Sequence, residues 1–119
     1  MFDVVALGEL LIDFASQSTD AAGYPTMAAN PGGAPGNFLA ALNKYGLKTG
    51  FLGKVGDDAF GRLLLGTLKD AGIETRGIRV DPDVFTTLAF VTFSPEGDRS
   101  FSFARKPGAD TCLQEDELD

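Results

Sequence analysis

Pro31-Gly32-Gly33-Ala34-Pro35-Gly36-Asn37 constrains this chain more than any other stretch. Three glycines and two prolines within seven residues predict an irregular loop rather than a strand or helix. Glycine admits positive φ and lets other atoms approach the backbone closely. Proline fixes the turn and suits a helix start. The residues that follow, Phe38 to Tyr45, read as that helix. Its first N–H groups are free to face whatever lies above them. Asn37 adds donors and acceptors that suit a neutral polyhydroxyl ligand as well as an anion. A tight loop that merely starts a helix is the alternative reading of the same residues.

With 119 residues, the chain is expected to form one domain with a sizeable core. A net charge of −7 without histidine repels phosphate backbones, so no nucleic-acid partner is expected. Cys112 is the only cysteine, which precludes an intrachain disulfide and gives no sign of secretion. The start lacks a basic leader, and Glu9 breaks the first apolar run. Neither a signal peptide nor a membrane span is expected, and the cytoplasm is the expected location. The lone cysteine and missing histidine also argue against a zinc site.

Phe2 to Leu7 is a β-branched, nearly continuous apolar run and predicts a buried parallel strand. Leu10-Leu11-Ile12 continues it toward Asp13, which then sits at the carboxyl edge of the sheet, where open α/β folds bind ligands. A capped turn is the plainer reading of Asp13. Ser16 to Asn30 is polar and small, with at most a short edge strand near Thr26-Met27-Ala28. Phe38, Leu42 and Tyr45 share one helical face. Lys48 to Val55 reads as a strand, and Gly56-Asp57-Asp58 as a turn and N-cap. A second helix is predicted over Ala59 to Ala71 with Phe60, Leu64, Leu68 and Ala71 as its stripe; close packing is the expected reason for Gly61 and Gly66. Leu88 to Phe93 and Arg99 to Phe103 predict a hairpin around Ser94-Pro95-Glu96-Gly97-Asp98. The acidic run Leu113 to Asp119 resembles the first turn of a helix, so the chain is expected to be truncated there. The fold class is α/β, a three-layer sheet with a small β flap.

Familiar motifs mostly fail. A dinucleotide fingerprint needs another glycine spacing and a preceding strand. Gly53-Lys54 is followed by Val55, which breaks a Walker A loop. A serine–histidine–aspartate triad is impossible without histidine. Asp57 and Asp58 read as a helix cap and dipole partner rather than as paired catalytic acids.

In combination the motifs become specific. A first strand ending in Gly8-Glu9, then Asp13, Asn30 to Asn37, Gly46, and Gly53-Lys54-Val55-Gly56-Asp57-Asp58-Ala59-Phe60-Gly61 closely resembles the ribokinase-like (PfkB) carbohydrate kinases. The run Gly97 to Asp110 looks most like the fructokinase branch, and the resemblance covers the whole chain. It implies an N-terminal portion of a ribokinase-like domain over residues 1–119, with lid segments near 16–30, 74–80 and 88–105. It implies that Asp13 accepts from sugar hydroxyls, that Gly32 and Gly33 let the backbone approach the sugar, and that Asn37 bonds a further hydroxyl. Phe90, Phe103 and Arg105 would close over the sugar from the flap. Ala104 departs from the pattern, because fructokinase-like relatives usually carry an aromatic there; the departure bears on the sugar-facing flap contact.

The family's catalytic base lies in a Gly-Ala-Gly-Asp motif that this chain lacks, so no catalytic residue is expected here and the base is expected downstream. ATP and Mg²⁺ are implied as cofactors, both bound mainly through a C-terminal half. No cofactor-binding or metal residues are assigned within the chain. The implied activity is transfer of the ATP γ-phosphate to a sugar hydroxyl, fructose favoured, by the intact protein, with this chain alone inactive. The alternatives are a kinase for ribose, 2-keto-3-deoxygluconate or a nucleoside, a non-catalytic sugar-binding or interaction domain, and a nucleotide-binding domain. Phe90, Val91, Phe93, Phe101 and Phe103 line the flap hairpin, and such a surface is usually covered; a homodimer through the lid is expected.

Overall fold

A computed structural model describes residues 1–118. Its apolar segments sort into two sheets. Strands β1 (Val4–Leu7), β4 (Thr49–Gly56) and β5 (Ile78–Asp81) form a parallel three-stranded sheet in the order β1-β4-β5. Strands β2 (Leu11–Thr19), β3 (Pro25–Gly32), β6 (Thr87–Phe93) and β7 (Arg99–Ala104) form a four-stranded flap in the order β3-β2-β6-β7. Helices α1 (Ala34–Asn43) and α2 (Ala59–Asp70) pack side by side on one face of the first sheet. Their inward residues Leu39 and Leu64 meet Phe51 and Val55 of β4, all at most 1% exposed. Each such burial contributes about 1.5–3 kcal/mol.

The mixed α/β class and the hairpin stand as expected; several local expectations do not. β1 is parallel but not buried on both faces: Val5 and Leu7 are 47% and 57% exposed, because the two helices cover only the opposite face. β2 is not an extension of β1. It starts a new sheet, which places Asp13 inside the flap instead of at the carboxyl edge of the main sheet. The polar excursion is a full strand, β3, antiparallel to β2. Glu74–Val80, expected in the flap, instead leads into β5 and pairs with β4. Phe38 and Tyr45 are 55% and 85% exposed; the inward face of α1 is Gly36 and Leu39. The acidic terminal run forms a short 3-10 turn, Glu115–Glu117, closed by a capping box between Gln114 and Glu117.

A polar knot ties the two sheets together. Asp58 caps α2, its Oδ1 accepting from the Gly61 N–H at 2.7 Å and from the Thr86 hydroxyl at 2.8 Å, while its Oδ2 accepts from the Thr86 N–H at 2.9 Å. Thr86 Oγ1 accepts in turn from the Gly56 N–H at 2.9 Å. The end of β4, the start of α2 and the approach to β6 therefore meet at one carboxylate. Burial alone would raise the Asp58 pKa, but the hydrogen bonds from Thr86 and Gly61 outweigh it and hold the carboxyl below its ordinary value. A second group holds the C-terminal segment: buried Lys54 donates to Glu117 Oε1 at 2.7 Å and to the Cys112 carbonyl at 3.2 Å, and lies 3.5 Å from Asp81.

Gly61 and Gly66 differ although both sit in α2. A Cβ at Gly61 would run into the Gly56 carbonyl oxygen, whereas one at Gly66 meets nothing within 4 Å. Gly66→Ala is therefore expected to stabilise the chain by about 1 kcal/mol and Gly61→Ala to destabilise it; urea denaturation of both variants checks the opposite signs. Because the folded pKa of Asp58 is depressed, its stabilisation is present above the unfolded value, near 3.8, and lost as pH falls through the folded one. Asp58→Asn is expected to be less stable at neutral pH and to lose less stability on acidification than wild type, measured by denaturation at pH 7 and pH 3.

Candidate functional site

The junction of β3 with α1 places the first site residues. The glycine-proline stretch is not an irregular loop. Pro31-Gly32 ends β3, and Ala34 to Asn37 form the first turn of α1, with Gly33 alone between them. Gly33 has φ +114°, a left-handed value that glycine tolerates. A Cβ there would lie 2.6 Å from the Glu9 carbonyl oxygen. At Gly32 a Cβ would occupy the place of the Asp13 carboxylate. The absence of side chains at both positions lets Glu9 and Asp13 lie directly against the backbone.

Strand register then decides which residues share a face. Asp13 lies opposite Asn30 of β3 and Ala89 of β6, and Ala89 lies opposite Phe103 of β7. Directly opposed residues point to the same side of a sheet, so Asp13, Ala89 and Phe103 share one face. Phe101 stacks beside Phe103 at 6.3 Å between ring centroids. Arg105 lies over the Phe103 ring at 5.3 Å, reaching Asp110 at 3.0 Å and Glu9 at 3.4 Å through Nη2. The Asp110 side chain is only 1% exposed; its other oxygen accepts from the Thr87 hydroxyl. Asp13 is half-buried, and its carboxyl is pushed above its ordinary pKa, first by burial and then by the neighbouring Glu9 carboxylate.

The structure thus gathers Asp13, Gly32, Gly33, Phe103 and Arg105 around one end of the flap. Asn37 is exposed and borders a cleft with Pro31, Gly32 and Gly33 on the side of α2. Phe90 does not join the group. It stacks on Phe14 at 5.3 Å on the opposite face of the flap, where Phe14 also meets Phe60 of α2. The alternation of a strand sends neighbours to opposite sides, so Ala89 takes the place expected of Phe90. Ala104 lies opposite Leu88 and one position from Phe103, so it too faces away from Asp13. Glu9, Thr87 and Asp110 were not foreseen as site residues. The signal for Asp110 was its opposite charge five positions beyond Arg105 in a proline-glycine turn; the signal for Glu9 was a carboxylate immediately before the second strand.

Comparison with known proteins bears on the family and the fold. The chain is 45% identical over 118 residues to the Arabidopsis thaliana protein named "Probable fructokinase-6, chloroplastic", covering 98% of this chain and 31% of that protein. It is 44% identical over 117 residues to a fructokinase of Solanum tuberosum, covering 97% of this chain and 37% of the relative. The crystal structure of fructokinase from Xylella fastidiosa superposes with a TM-score of 0.91 at 34% identity, over 98% of this chain and 36% of that one. The same Xylella enzyme with bound ATP superposes with a TM-score of 0.90. The chain spans about a third of the length of the curated relatives it matches. With the pattern of the pfkB family carbohydrate kinases matched across residues 1–119, in a fold with this flap and this glycine junction, the chain belongs to that family.

Proposed function

We propose that the whole protein transfers the γ-phosphate of ATP to a hydroxyl of a small sugar, fructose favoured, and that this chain supplies the sugar-binding half. The observation that carries the reading is the Asp13 carboxylate lying over Gly32, on the flap face that also bears Phe103. A carboxylate accepts from two hydroxyls at once, and an aromatic wall covers the apolar C–H surface of a sugar. Leaving a buried hydroxyl unmatched costs about 1–3 kcal/mol, so such a pairing selects polyols. Asn37, Gly32, Gly33 and Arg105 complete the binding set in this reading.

Phosphoryl transfer rests on positioning and charge stabilisation. The residues here supply the positioning. Among the described residues no group of three or more His, Cys, Asp or Glu side chains is disposed to hold a metal ion, and the Gly-Ala-Gly-Asp base motif does not occur in the sequence. We assign the base, ATP and Mg²⁺ to the part of the whole protein that the relatives' greater length represents, and this chain by itself is inactive. No helix among the described residues is long and apolar enough to cross a membrane; the single cysteine supports a cytoplasmic setting.

The flap also supports a homodimer. Phe93, Phe101 and Phe103 are 52%, 53% and 51% exposed, and β3 and β7 leave the flap with two open edges among the described residues. A second flap laid against this one covers both features.

Calorimetric titration of the purified chain with fructose is expected to show binding, weakened tenfold or more by Asp13→Asn, as the loss of hydrogen bonds to a charged acceptor implies. A coupled ATP assay on the same sample is expected to show no sugar phosphate. Sedimentation is expected to give a dimer that Phe101→Ser shifts toward monomer; a wild-type monomer would refute the dimer.

A further inference from the structure

Arg105 is already matched in charge before any ligand arrives. Its Nη2 meets Asp110 Oδ2 at 3.0 Å and Glu9 Oε2 at 3.4 Å. Asp110 cannot turn away cheaply, because the Thr87 hydroxyl, on a residue 0% exposed, donates to its other oxygen. Turning would leave a buried hydroxyl and a buried carboxylate oxygen unpaired. Asp13 stands beside Glu9, and its raised pKa reflects burial and that neighbour. Two carboxylates therefore hold one guanidinium, with Asp13 beside one of them, and the cluster carries an excess of negative charge. What Arg105 retains is hydrogen-bonding capacity: its Nε is buried and has no partner among the described residues. A carboxylate brought beside this guanidinium would face the charges of Glu9 and Asp110, with Asp13 beyond Glu9, whereas an uncharged hydroxyl would meet no such repulsion.

We propose that Asp110, fixed by Thr87, determines the charge specificity of this site: by pairing Arg105 it makes the pocket select neutral sugars and reject sugar acids. The inference rests on the sugar-binding reading above and adds the residue that discriminates between substrate classes. Asp110 is a positioning residue here, since it acts through Arg105. Glu9 reinforces it from the loop between β1 and β2, at longer range and with a side chain 47% exposed.

The test is an NMR titration of the 119-residue chain at low salt, following the Arg105 Nε–H resonance, with fructose and with gluconate as probes. Wild type is expected to bind fructose at least tenfold more tightly than gluconate. Asp110→Asn is expected to shrink that ratio about tenfold and Glu9→Gln about threefold, the order that proximity to the guanidinium dictates. Both effects should diminish at high salt. Equal binding of the two probes by wild type, or an unchanged ratio in both variants, overturns the proposal while leaving sugar binding intact. Failure of wild type to bind either probe overturns the sugar-binding reading itself. If Asp110→Asn loses its folded spectrum, Glu9→Gln decides the matter, because its exposed carboxylate contributes charge without supporting the core.

Discussion

The approach of two backbones at Gly33 governs the rest of this structure. A strand ends, a helix begins, and the Glu9 carbonyl passes so closely that a Cβ would lie 2.6 Å from it. Only a residue without a side chain, and with access to positive φ, permits that contact. The consequence is a short, stiff joint between the flap and the helical layer. Asp13 depends on the same economy of atoms one residue earlier, where the missing side chain of Gly32 leaves room for its carboxylate. Binding residues held by strands and by a helix end keep their geometry better than residues carried on a free loop.

The flap is anchored at both of its roots. Asp58 joins the root of β6 to the helical layer through Thr86, and Asp110 holds the segment after β7 through Thr87 and Arg105. Two adjacent buried threonines thus serve two different carboxylates, one structural and one beside the candidate site. Phe14, Phe60 and Phe90 fill the space between flap and α2, while Phe101 and Phe103 remain on the open face. The aromatic residues of the flap look interchangeable in the sequence. Their division into packing and exposed sets follows from strand alternation and register alone.

Charge organises the site as firmly as shape does. The family holds sugar kinases, and a sugar offers many hydroxyls with little else to distinguish it. In the proposal above, a matched arginine with surplus carboxylate favours hydrogen-bond donors over anions. Lys54 illustrates the contrasting use of a cation. Buried beneath the C-terminal segment and bonded to Glu117 and the Cys112 carbonyl, it holds chain to chain and has no surface left for a ligand. The sequence already excludes a Walker A loop here, because Val55 follows Gly53-Lys54.

Local patterns were legible wherever short-range chemistry dominates. The Asp58 cap, the α2 stripe of Leu64 and Leu68, the β6–β7 hairpin and the glycines that end both helices follow from propensity and spacing, which act over a few residues. The matched signature of glycines and acids also identified the family, and with it Asp13, Gly32, Gly33, Phe103 and Arg105 as neighbours. Tertiary structure decided the rest. It placed β2 in the flap, moved Glu74–Val80 to the main sheet, turned Phe90 and Ala104 away from Asp13, and brought Glu9 and Asp110 to Arg105. These outcomes depend on which strands pair and in what register, and a shift of one residue reverses every side chain on a strand. Sequence spacing alone does not contain that register; long-range pairing across the flap sets it.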